Sequence, residues 1–73
     1  MARIAAIGER PRVTGLLTAG VEVFPAHDPD AVRAAWDALP AHVALVILTP
    51  AAAAALPPDR LDGDRPLTAV MPP

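Results

Sequence analysis

Apolar positions along this chain come in short runs separated by turn-forming residues, and the runs alternate between strand-like and helix-like spacing. Arg3-Ile4-Ala5-Ala6-Ile7 is an apolar stretch suited to a strand covered on both faces, and Gly8 ends it with a sharp turn. Pro11 suits the first turn of a helix, and Val13, Leu16 and Leu17 share one helical face. Gly15 inside that helix is expected to permit close approach to a sheet, and Gly20 to serve as its left-handed end. A short strand follows at 21–24, with Pro25 marking it as an edge. Asp28-Pro29-Asp30 opens a second helix, whose Val32, Ala35, Trp36 and Leu39 form one apolar stripe up to Pro40. Residues 43–48 are apolar throughout and predict a central strand. Thr49 and Pro50 then start an alanine-rich helix over 51–55. Residues 57–66 read as a polar loop with a turn at Asp62-Gly63-Asp64, and 67–71 as a fourth strand.

Strands alternating with helices over so few residues bury their apolar faces best as a parallel sheet with crossover helices. At 73 residues the chain is expected to be one domain, spanning 1–73. A domain of this size supplies only about 3–5 kcal/mol of net stability. The chain has no cysteine, which removes disulfides and thiolate metal sites. Ten prolines restrict the unfolded chain.

The net charge is −2, and the positive charges are arginines scattered at 3, 10, 12, 33, 60 and 65. Phe24 and Trp36 are the only aromatic residues, so neither a basic stripe nor a stacking surface exists for nucleic acid. Membrane insertion is not expected, because the run over 43–56 falls short of the ~20 apolar residues needed and Thr49-Pro50 interrupts it. With Gly8-Glu9-Arg10 breaking any signal peptide, a cytoplasmic location is expected.

Catalytic chemistry lacks its usual parts. Serine and cysteine are absent, and the threonines have no base-and-orienter set beside them in the sequence. The stretch from Gly8 to Gly15 sits where a doubly wound sheet binds nucleotides. It matches neither glycine-rich phosphate motif, and the chain has no lysine to reach a phosphate. No cofactor is expected. His27 follows one strand and His42 precedes another, which places them at opposite sheet edges, so no metal site is expected. A receiver-like module would carry acidic residues after the first strand and a phosphoacceptor Asp after the third. Glu9 stands alone after the first, and the third ends in Thr49-Pro50. A compact α/β unit without such a site works by contact.

The order of these elements, with their loop sequences, resembles the F subunit of the vacuolar/archaeal-type rotary ATPases. The resembling residues are Ile7-Gly8, Val13-Thr14-Gly15, Ala19-Gly20-Val21, Asp28-Pro29 and Pro66-Leu67-Thr68-Ala69-Val70 with the closing prolines. The resemblance implies a small Rossmann/flavodoxin-like sheet of strand order 2-1-3-4 with three helices. It also implies a non-catalytic central-stalk role, binding the coiled-coil D subunit inside the ring of A and B subunits and coupling their ATP chemistry to ion transport. A stand-alone receiver-like regulatory or small-ligand-binding module is the alternative.

Members of that family usually continue into a C-terminal helical segment beyond the last strand, and this chain ends at Pro73. In the expected arrangement the first helix covers one face only in part, while the second and third helices cover the other. Alternate residues of the third and fourth strands are then left bare, forming an apolar contact surface. Either alternate set satisfies the apolar pattern. The expected partner-facing residues are Val13, Leu16, Leu17, Val43, Leu45, Ile47, Leu67, Ala69 and Met71.

Overall fold

The computed structural model describes residues 3–61, 63 and 66–72. Four parallel strands, β1 (Ile4–Gly8), β2 (Glu22–Pro25), β3 (Leu45–Leu48) and β4 (Leu67–Val70), pair in the order β2-β1-β3-β4. This agrees with the expected winding: the chain reverses direction across the sheet between β1 and β3. Ala5, Ala6 and Ile7 of β1 are completely buried, as a strand with neighbours on both sides and layers on both faces must be.

Helix α2 (Pro29–Asp37) starts as its sequence dictates. The Asp28 carboxylate accepts a hydrogen bond from the Ala31 N–H at 2.8 Å, and Pro29 fills the first turn. Helix α3 (Pro50–Ala54) repeats the device, with Thr49 Oγ1 accepting from the Ala52 N–H at 3.3 Å. Both pack on one face of the sheet. Ala5 and Ile7 of β1 and Val46 and Leu48 of β3 join Val32, Ala52 and Leu56 there in a single core, with Trp36 and Leu39 of the apolar stripe packed against it.

The opposite face carries a smaller core of Ala6, Val13 and Val21. The expected single helix over this face is instead two pieces, α1 (Arg10–Val13) and a 3-10 segment (Thr14–Ala19). A 3-10 helix rises about 2.0 Å per residue against about 1.5 Å, so the same residues reach further back toward the start of β2. Thr14 stands at the change, with its N–H and its hydroxyl both donating to the Arg10 carbonyl, the hydroxyl at 2.5 Å. Gly20, at φ 80°, closes the segment in the left-handed conformation. Gly15 does not approach the sheet: a Cβ there meets nothing within 4 Å. Val13 and Leu16 occupy the inward side instead.

A further α-helix, α4 (Pro58–Leu61), forms where the sequence suggests only loop, so that the described residues hold four α-helices rather than the three expected. Thr68 Oγ1 donates to the Leu61 carbonyl at 3.0 Å and ties this turn to β4. The turn expected at Asp62-Gly63-Asp64 falls partly outside the described residues.

Candidate functional site

Two regions are built from residues singled out by the sequence: the carboxyl edge of the sheet, where β1 and β3 part, and the bare portion of the α1 face.

At the carboxyl edge the space between Gly8 and Thr49 is filled. Gly8 lies so close to Thr49 that a Cβ would stand 2.2 Å from its Cγ2. Thr49 is fully buried, and its hydroxyl donates to Glu9 Oε1 at 2.6 Å. That hydrogen bond is the main reason the Glu9 carboxyl titrates below its ordinary value, helped by its own backbone N–H and, at longer range, by the charges of Arg12 and His27. A cavity of about 130 Å³ next to it is lined by Glu9, His27, Asp28 and Ala52. A phosphate entering the reversal point of the sheet meets this carboxylate rather than a cradle of free amides. The hydroxyl in the place expected of a phosphoacceptor is buried and already bonded.

The histidines stand at opposite ends of the strands. His27 lines the cavity at the carboxyl edge, while His42 Nε2 lies 3.0 Å from Glu22 Oε1 at the amino edge. No group of three or more metal-binding side chains occurs among the described residues. An open groove of about 510 Å³ lies at the amino edge between Trp36, Leu39, His42, Pro66 and Leu67.

The bare face is set by strand register. Ile4 pairs with Leu45 and Leu45 with Leu67; Ala6 pairs with Ile47 and Ile47 with Ala69. Residues paired across parallel strands point to the same side. The side is identified by Ala6 and Ile47, which pack against Val13 and Val21 beneath α1. Cover thins out from β1 toward β4. Ala6 is fully buried, Leu45 and Ile47 are half-buried, and Leu67 is 57% exposed with Ala69 exposed beside it. Met71, just past β4, is half-buried, and its N–H donates to the Leu48 carbonyl at 2.8 Å.

Two expected surface residues are not at the surface. Val13 is completely buried, because it is the residue that anchors α1 to the sheet. Val43 is buried in the α2-side core instead of lying beside Leu45. Residues 41 and 42 form a turn, Val43 N–H bonds back to the Pro40 carbonyl at 3.1 Å, and β3 starts only at Leu45, so strand alternation does not reach Val43. Leu16 is half-buried under the 3-10 segment, and Leu17 is 58% exposed on it.

Sequence reasoning missed two contributors. Ile4, 37% exposed, extends the apolar strip at the amino end; its period-two spacing from the buried Ala6 was the available signal. Arg12 Nη2 donates to the Pro72 carbonyl at 2.7 Å, bridging α1 to the end of β4 across the carboxyl end of the strip. No sequence signal announces a contact over that separation.

Among the described residues, no helix is long and apolar enough to cross a membrane. No curated protein and no solved structure matches the chain. A protein-family model does, that of the ATP synthase (F/14-kDa) subunit, over residues 4–72. The match runs from the first residue of β1 through β4 and so takes in both the reversal point and the bare face, and on that extent the chain belongs to the family of F subunits of V/A-type ATP synthases.

Proposed function

We propose that this chain is a non-catalytic component of the central rotor stalk of a V/A-type rotary ATPase. In this reading it seats against the coiled-coil D subunit, turns within the ring of A and B subunits, and helps couple ATP synthesis or hydrolysis to ion transport. It works at the cytoplasmic side, peripheral to the membrane. The observation that carries the reading is the family match over residues 4–72. The bare strip of Leu45, Ile47, Leu67, Ala69 and Met71, with Leu16 and Leu17 beside it, supports it, because an apolar strip of this kind is stable when another polypeptide covers it. The carboxyl edge speaks against a phosphate-binding module: Glu9 places a carboxylate beside its small cavity, and the Thr49 hydroxyl is already bonded to it.

The test is purification of a tagged chain from its native host. Co-purification of the D, A and B subunits in fixed ratio is expected. An ATPase complex that assembles and pumps normally without this chain, or a tagged chain that recovers none of these subunits, refutes the reading.

A further inference from the structure

The sheet has two edges, and they differ. β2 carries a charge at Glu22 and a proline at Pro25, both of which discourage pairing with a further strand. β4, at the other edge, is Leu67-Thr68-Ala69-Val70, with no charge, proline or glycine inside it. Leu67 is 57% exposed and Val70 53% exposed, on opposite faces of the strand.

The hydrogen bonds of β4 fix which of its backbone groups look outward. Leu67 N–H donates to the Ala44 carbonyl at 3.0 Å, and Met71 N–H to the Leu48 carbonyl at 2.8 Å. Alternate residues of a strand bond to the same neighbour, so Leu67, Ala69 and Met71 serve β3. The N–H and C=O of Thr68 and Val70 therefore point away from the sheet, and they have no backbone partner among the described residues. Pro66 and Pro72 are the next outward positions at either end, and neither has an N–H.

We propose that β4 is a self-pairing edge: two copies of this chain join antiparallel through Thr68 and Val70 into one continuous sheet. A twofold axis at Ala69 sets Thr68 against Val70 of the second copy, Leu67 against Met71, and Pro66 against Pro72. Every outward N–H and C=O of Thr68 and Val70 is then bonded. Sliding the pair to either neighbouring in-phase register turns one of these carbonyls onto a proline nitrogen that has no proton. Two alanines meet at the axis, in a non-hydrogen-bonded pair with about 4.5 Å between Cα atoms, where larger side chains would crowd. No charged residue lies between Pro66 and Pro72, so no like charges are brought together, and Asp64 and Arg65 precede the paired span in sequence. Leu67 and Val70, both exposed in the single copy, gain cross-strand neighbours. The span is short, so the association is weak and grows with concentration. It is independent of the stalk role, since it concerns the free chain and neither requires nor forbids co-purification of the D, A and B subunits.

The experiment uses the full chain alone. Its weight-average mass in sedimentation is expected to rise from the monomer value toward twice that as concentration increases. The chain has no cysteine, so a single introduced one reads the register. Ala69 is exposed on β4, and Leu17 is exposed on the 3-10 segment away from this edge. Under oxidation, Ala69→Cys is expected to form disulfide-linked dimers at least about tenfold faster than Leu17→Cys, because the axial pair lies within disulfide reach. Val70→Pro removes an outward N–H that the sheet itself does not use, and is expected to leave the chain monomeric. Ala69→Lys and Ala69→Glu, which leave the backbone donors in place, are each expected to stay monomeric alone and to associate when mixed, because position 69 faces itself across the axis. A parent chain that stays monomeric at every concentration, equal cross-linking of Ala69→Cys and Leu17→Cys, or a Lys and Glu mixture that does not associate overturns the proposal. A parent that is monomeric alone but whose Val70→Pro variant fails to join the D, A and B subunits gives this edge to a partner's strand, and overturns the second copy.

Discussion

Replacing Gly8 by alanine should nearly unfold this protein, although it adds one methyl group. The new Cβ would stand 2.2 Å from Thr49 Cγ2, 2.6 Å from Oγ1 and 2.9 Å from Cβ. Thr49 cannot yield cheaply. It is fully buried, its N–H bonds to the Ile7 carbonyl at 3.2 Å, and its hydroxyl bonds both Glu9 and the Ala52 N–H. Gly8 is equally constrained, pairing with Pro25 in β2 and accepting from the Ala26 N–H at 2.9 Å. Overpacking at such a site costs about 1–3 kcal/mol, and displacing the Thr49 hydroxyl adds about 1 kcal/mol for the lost helix cap. A combined loss of about 3 kcal/mol approaches the whole net stability of so small a domain. At about 4–8 °C per kcal/mol, the melting midpoint should fall by at least about 12 °C. Gly15→Ala supplies the contrast, since a Cβ there meets nothing within 4 Å and the backbone φ is not positive. It should be neutral or stabilising by up to about 1 kcal/mol. Circular dichroism during thermal and urea unfolding of the full chain reads both. A Gly8→Ala midpoint within a few degrees of the parent would refute the claim that β1 and β3 meet through this contact.

Glu9 titrates below its ordinary value chiefly through its hydrogen bond from Thr49, so the stability it contributes is present above the unfolded-state value and is lost as pH falls through the lower folded-state value. Thr49→Val should therefore flatten the acid limb of the stability curve below about pH 4.5, which urea titrations at successive pH values would reveal; an unchanged limb contradicts the bond. Asp28→Ala removes the acceptor for the Ala31 N–H and should cost about 1 kcal/mol, with Asp28→Asn recovering most of it in the same unfolding assay. Val13→Asp places a charge in the closed α1 core and should prevent folding, whereas Leu67→Asp should fold normally and reduce binding of a hydrophobic dye. Equal melting behaviour of these two variants would show that the two sides of the α1 layer have been misassigned.

Much of this fold was legible because its punctuation is chemical and local. Asp28 and Thr49 cap the helices expected of them, Gly20 takes the left-handed turn, and Pro25 closes an edge strand, each for reasons contained within a few residues. The bare face was legible only as a pair of alternatives, because β3 is apolar on both sides and either alternate set satisfies its pattern. Strand pairing resolved it in favour of Leu45 and Ile47, and the turn over 40–43 removed Val43 from that set. Val13 was placed with Leu17 by helical spacing, yet one faces the core and the other is exposed, because the change from α to 3-10 winding between them rotates the later residues.

Short-range preference, then, was enough to place the four strands in order and to start α2 and α3 at their caps, though not to find the first residue of β3 or the presence of α4, and the alternation of elements was enough to demand parallel pairing. Which glycine touches a neighbour, which carboxylate meets Thr49 and which side of β3 stays open depended on residues about forty positions apart coming together. Such contacts leave no trace in local periodicity. They arise when separate stretches of chain compete for the same limited space between β1 and β3, and only the folded sheet settles that competition.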